Sequence, residues 1–125
     1  MSNFIRVTPF IHVENIEHAS TFFTDILGFE VWFRLPDYAY IQRETVGFRL
    51  LESREREMPS GNKRYAYYID VRDVDQLYAE LKPKLDTLPE NDVHGPTDQD
   101  YGQRELSVVA PDGNLIVFGQ AIKKT

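Results

Sequence analysis

The chain has 125 residues, 42% of them hydrophobic and 27% charged, the balance of one globular domain or of two fused half-domains able to close a core. Its formal net charge of -6 argues against nucleic acid as a partner, because non-specific binding needs a basic surface to displace counterions from phosphates. With no cysteine there is no disulfide, thiolate metal site or cysteine nucleophile; with no apolar leader or membrane-length run, a cytoplasmic location and no membrane partner are expected.

Residues 4–13, FIRVTPFIHV, alternate as a strand, with Ile5, Val7, Ile11 and Val13 on one face and Pro9 marking an edge or junction. An amphipathic helix is predicted next. Asn15 is its N-cap, Ile16, Ala19, Phe22, Phe23, Ile26 and Leu27 form its apolar face, and Gly28 stands where a C-terminal cap belongs. Three short strands then start at Glu30, Tyr38 and Val46, separated by turns at Pro36-Asp37 and near Glu44-Thr45.

Residues 54–63 are polar, without periodicity, and contain Pro59 and Gly61, so they read as a linker. The order then begins again. A strand from Arg64 leads to a helix opened by the capping-box pair Asp73 and Gln76, with Val74, Leu77, Tyr78 and Leu81 on its apolar face. Pro83 should end or distort that helix. A loop-rich segment, 88–103, has room for one short irregular strand around Val93, and a hairpin turning at Pro111-Asp112-Gly113 completes the set. The fold class is therefore α+β, with two βαβββ modules at 1–53 and 64–125, a repeat of pattern more than of residue identity.

The opening VENIEHASTFFTDILGF, the closing SVVAPDGNLIVFGQ and the paired modules resemble the vicinal oxygen chelate superfamily of glyoxalases, bleomycin resistance proteins and extradiol dioxygenases. Within it, GFEVWFRLPDYAYIQRETVGFRLLE and YGQREL are most similar to the bleomycin resistance members. The resemblance implies a cup-shaped mixed sheet and a homodimer. In the superfamily's enzymes it also implies a divalent metal held by His and Glu on the inner strands. Aligned on these motifs, the four metal positions fall on Thr8, Arg49, Ala66 and Val117, none of them a suitable ligand. His12, His18 and His94 show no ligand spacing either, so no cofactor is expected.

Strand alternation assigns Val31, Phe33, Ala39, Ile41, Phe48 and Leu50 to the helix side, and Trp32, Arg34, Tyr38, Tyr40, Gln42, Gly47, Arg49 and Leu51 to the cup. The candidate ligand-binding residues are Phe10, Trp32, Tyr38, Tyr40, Gln42, Arg49, Tyr68 and Arg104. Flat apolar area with a few polar anchors suits an organic ligand, although strand aromatics also serve as plain packing or a dimer contact. Arg104 either pairs with Glu105, Asp70 or a backbone carbonyl, or meets the ligand; Arg49, at a former metal position, is expected to meet it. The expected function is a metal-free small-molecule binding protein of the bleomycin resistance type, sequestering an aromatic or cationic organic ligand. The alternative is a glyoxalase-like lyase or a dioxygenase acting on a small oxygenated substrate.

Overall fold

The computed structural model describes residues 2–53 and 65–123, so the expected linker at 54–63 lies outside the described residues. The chain divides into two compact units, Met1–Ser60 and Gly61–Thr125.

In the first unit, β1 (Phe10–Val13) is followed by helix α1 (Ile16–Thr21), whose last turn widens to a π-helical Phe22–Ile26. Then come β2 (Glu30–Leu35), β3 (Tyr38–Arg43) and β4 (Val46–Glu52), arranged β1-β4-β3-β2 with only the β1/β4 pair parallel. The Asn15 side chain caps α1 by accepting the His18 N–H at 2.9 Å, and Glu52 Oε2 accepts the Ile16 N–H at 2.9 Å. These two acceptors satisfy N–H groups that the first turn leaves without helical partners. Helix α1 packs on β3 and β4, and Phe23, fully buried, sits 5.6 Å from Phe29 and 6.1 Å from Phe48, ring centre to ring centre.

The strand expected from residue 4 begins only at Phe10. Pro9 has no N–H to give a ladder, although its carbonyl accepts the Arg49 N–H at 2.9 Å, and upstream of it Phe4, Ile5 and Val7 are exposed. Ile11 and Val13 do enter the core.

The second unit repeats the topology: β5 (Ala66–Asp70), α2 (Val74–Leu85), a short 3-10 turn at Glu90–Asp92, then β6 (Val93–Asp98), β7 (Gln103–Val109) and β8 (Leu115–Ala121), ordered β5-β8-β7-β6. Asp73 caps α2 through Gln76 N–H at 3.0 Å. Of the two outcomes expected of Pro83, to end or to distort the helix, the first does not occur, since α2 continues to Leu85. Pro83 lies near the C-terminus of the helix and is exposed, as is Ala79 four residues before it, whose carbonyl it has no N–H to serve, and Leu85 beyond it is buried. The hairpin turn closes through Ala110 N–H to the Asn114 carbonyl at 2.7 Å, with Asp112 and Gly113 at φ 66° and 76°, the left-handed region that an Asp-Gly pair tolerates. Ile69, Val74, Leu81, Leu106, Val108, Ile116 and Phe118 make this unit's core.

Candidate functional site

With a helix on one side, each sheet has a second, open face, and the strand register fixes what lines it, because ladder partners project to the same side. In the first unit one row crosses all four strands: Phe10 beside Arg49, Arg49 beside Tyr40, Tyr40 beside Phe33. The neighbouring row is His12, Leu51, Tyr38 and Leu35. His12 is itself tied to Ser53 through a 3.0 Å contact between Nδ1 and Oγ.

A register shift between Val31 and Phe33 makes Trp32 the extra residue of a bulge. Plain alternation put Phe33 against the helix and Arg34 on the open side; the bulge reverses both. The Phe33 ring lies 6.2 Å from Tyr38, the Trp32 ring 6.0 Å from Tyr40, and Arg34 turns to α1 to pair with Glu17 at 2.6 Å. Two consecutive aromatic residues thereby share one face. Trp32 is 61% exposed, Phe33 54% and Phe10 51%, so these residues lie outside the buried core.

A chain of polar contacts sets this surface. Arg49 Nη1 donates to the Tyr38 hydroxyl at 2.5 Å, and the Arg49 guanidinium carbon lies 5.2 Å from the Tyr40 ring centre. The Tyr40 hydroxyl donates to Gln42 Oε1 at 2.5 Å, and the buried Gln42 amide donates to the Glu44 carbonyl at 2.8 Å. Gly47 leaves room for this arrangement, since a Cβ there would come within 2.6 Å of the Tyr40 hydroxyl. Among the described residues, no carboxylate pairs with Arg49.

The second unit's open face carries Tyr68 and Asp70 from β5, Val117 and Gly119 from β8, and Gln103, Glu105 and Ser107 from β7. Tyr68 donates to Gln103 Oε1 at 3.0 Å, and Tyr101 donates to the buried Glu105 at 2.7 Å. The Tyr68 hydroxyl lies over Gly119, where any Cβ would collide with it. Local desolvation, then the nearby Glu105 carboxylate, push the Tyr68 hydroxyl up to about 12.

Phe10, Trp32, Tyr38, Tyr40, Gln42 and Arg49 thus share the first unit's open face, and Tyr68 lies on the second unit's. Arg104 lies on neither. Its ladder partner Gln120 faces α2, accepting the Val74 N–H at 2.8 Å, and Arg104 follows it, forking onto Asp75 at 3.0 to 3.3 Å and meeting Asp98 at 2.9 Å. Glu105 and Asp70, the carboxylates expected from sequence, point to the other side. Arg104 fastens β7 to α2 and β6, and its guanidinium is held above the ordinary arginine range by the hydrogen bonds to Asp75 and Asp98.

Thr8, Arg49, Ala66 and Val117 do not fit a resident metal: they offer one hydroxyl, two aliphatic side chains and a fixed cation. Among the described residues no group of three or more His, Asp or Glu is placed to hold an ion.

Two βαβββ units in tandem, each with a helix on one side of its sheet and a lined face on the other, define the glyoxalase class of α+β fold. The profile of the Glyoxalase/Bleomycin resistance protein/Dioxygenase superfamily matches residues 5–118, and the chain belongs to that superfamily. It is 29% identical to a bleomycin resistance protein of Geobacillus stearothermophilus, over 95% of this chain and 98% of the relative, and equally so to one from Staphylococcus aureus. In fold it resembles the bleomycin-binding protein of Streptomyces verticillus complexed with copper(II)-bleomycin (TM-score 0.76, 23% identity, 99% and 100% of the two chains). It also resembles a lactoylglutathione lyase of Agrobacterium tumefaciens (TM-score 0.68, 15% identity, 92% of each chain).

Proposed function

We propose that this protein is a metal-free, homodimeric small-molecule binder of the bleomycin resistance type, which sequesters an aromatic or cationic organic ligand without altering it. One observation carries the reading. The first unit holds exposed Phe10, Trp32 and Phe33 and half-buried Tyr38 and Tyr40 on one sheet face, with Arg49 and Gln42 as the polar groups among them. Flat rings supply contact area at little entropic cost, and sparse polar groups fix orientation. Full-length similarity to bleomycin resistance proteins supports the same reading.

Calorimetric titration with metal-free and copper-loaded bleomycin, on the wild type and Trp32→Ala, tests it. Saturable binding near micromolar, weakened at least about tenfold by the loss of the indole stack, is the expected outcome. No heat with either form removes bleomycin as the ligand; binding that Trp32→Ala leaves unchanged removes this face as the site. The alternative, a glyoxalase-like lyase or dioxygenase, requires a metal donor set that the described residues do not provide. Metal analysis of protein purified without chelators separates the two readings.

A further inference from the structure

The other arginines on the described strands are supplied with acceptors. Arg34 has Glu17, Arg43 has the Leu27 carbonyl at 2.9 Å and Glu44 nearby, and Arg104 has Asp75 and Asp98. Arg49 differs: a guanidinium has five N–H donors, and among the described residues it meets one hydroxyl oxygen and one ring face. The Tyr38 hydroxyl, having accepted from Arg49, keeps its own hydrogen to donate. The centre of the aromatic row is therefore rich in donors and poor in acceptors, and positive charge is concentrated there although the chain as a whole is acidic.

We infer that the aromatic face of the first unit takes a flat aromatic ligand bearing an acidic group, a carboxylate or its equivalent, seated on Arg49 and the Tyr38 hydroxyl while the ring lies on Trp32, Phe33 and Tyr40. This rests on the reading of that face as a binding site for aromatic ligands and departs from its cationic option, which the positive charge of Arg49 disfavours. A carboxylate accepts only, and its two oxygens match the spacing of adjacent guanidinium N–H groups, so it fills the donor excess in a way that a neutral amide or an ammonium cannot. The geometry favours such a guest because little has to be ordered when it arrives. The guanidinium is already held between the Tyr38 hydroxyl and the Tyr40 ring, and the Tyr40–Gln42–Glu44 chain fixes that ring in turn.

The test uses three probes of one shape, 2-naphthoate, 2-naphthamide and 2-naphthylmethylammonium, titrated against the full chain with the fluorescence of its single tryptophan as readout. Naphthoate should bind about tenfold or more tighter than the amide, the gain of one charge-assisted pair, and the ammonium more weakly than either. Arg49→Gln should abolish the preference, bringing naphthoate to the affinity of the amide or below, and Arg49→Lys, which keeps the charge but not the fork, should retain part of it; unchanged melting temperatures show that both variants fold. Equal affinity of the three probes for a wild type whose binding still requires Trp32, or a naphthoate preference that survives Arg49→Gln, overturns the acid-group inference and leaves the site reading standing. No binding of any probe at millimolar concentration contradicts both.

Discussion

The two units share a strand order, a capped helix and a hairpin-rich sheet, yet their open faces differ in kind. The first presents rings around an arginine, the second a buried carboxylate with two phenols. What repeats is the helix-facing set: Ile11, Ala39, Ile41 and Leu50 in one unit are answered by Ile69, Leu106, Val108 and Ile116 in the other. Burial on that side constrains residue type to apolar, so the topology persists while the face without a helix is free to specialise. Arg49 and Arg104 show the same division. One lies on an open face with no carboxylate paired to it among the described residues, and the other is consumed in holding a helix to its sheet.

The comparison can be broken most severely in the cores. Phe23→Ala removes a fully buried ring in contact with Phe22, Phe29 and Phe48 and should cost about 3–5 kcal/mol by denaturant unfolding, with Leu106→Ala costing about 2–5 kcal/mol in the other unit. A loss of well under 1 kcal/mol at either position would mean that its helix-facing side is not the conserved half of the repeat. The helix caps come next: Asn15→Ala and Asp73→Ala should each cost about 1 kcal/mol, one equivalent acceptor in each unit. Arg104→Gln should lower the melting temperature slightly, as expected of partly exposed ion pairs, and leave ligand titrations unchanged. A ligand effect there would return Arg104 to the binding face.

The smallest effect is spectroscopic. The Tyr68 phenol should ionise near pH 12 in an ultraviolet titration, and Glu105→Gln should bring it back toward the ordinary tyrosine value by removing a negative neighbour. Because the folded state holds this proton more tightly than the unfolded one, its contribution is fully present below about pH 10 and fades as pH rises toward 12. Stability that rose over that interval would contradict the assignment.

Much of this was legible in the chain. Asn15 and Asp73 announce their helices, Asp112-Gly113 its turn, and alternation places Tyr38, Tyr40, Gln42 and Arg49 on one side of two strands, because local chemistry decides each of them. What was hidden depends on partners. A bulge inserts one residue without altering composition, so nothing in EVWFRL says that Trp32 breaks the alternation and that Phe33 and Arg34 exchange sides. FIRVTPFIHV reads as one strand, but pairing requires a neighbour, and β1 finds β4 only from Phe10 onward. Arg104 has carboxylates close in sequence, but the ones it uses are on α2 and β6.

The most direct test of the account is the indole N–H resonance of Trp32, the only tryptophan, followed by NMR during titration of chelator-treated protein with bleomycin. The account predicts a saturable shift of that resonance together with the backbone signals of Tyr38, Tyr40 and Arg49. An indole signal that stays in place while resonances elsewhere move to saturation would contradict it, because the ligand would then be bound away from the aromatic face.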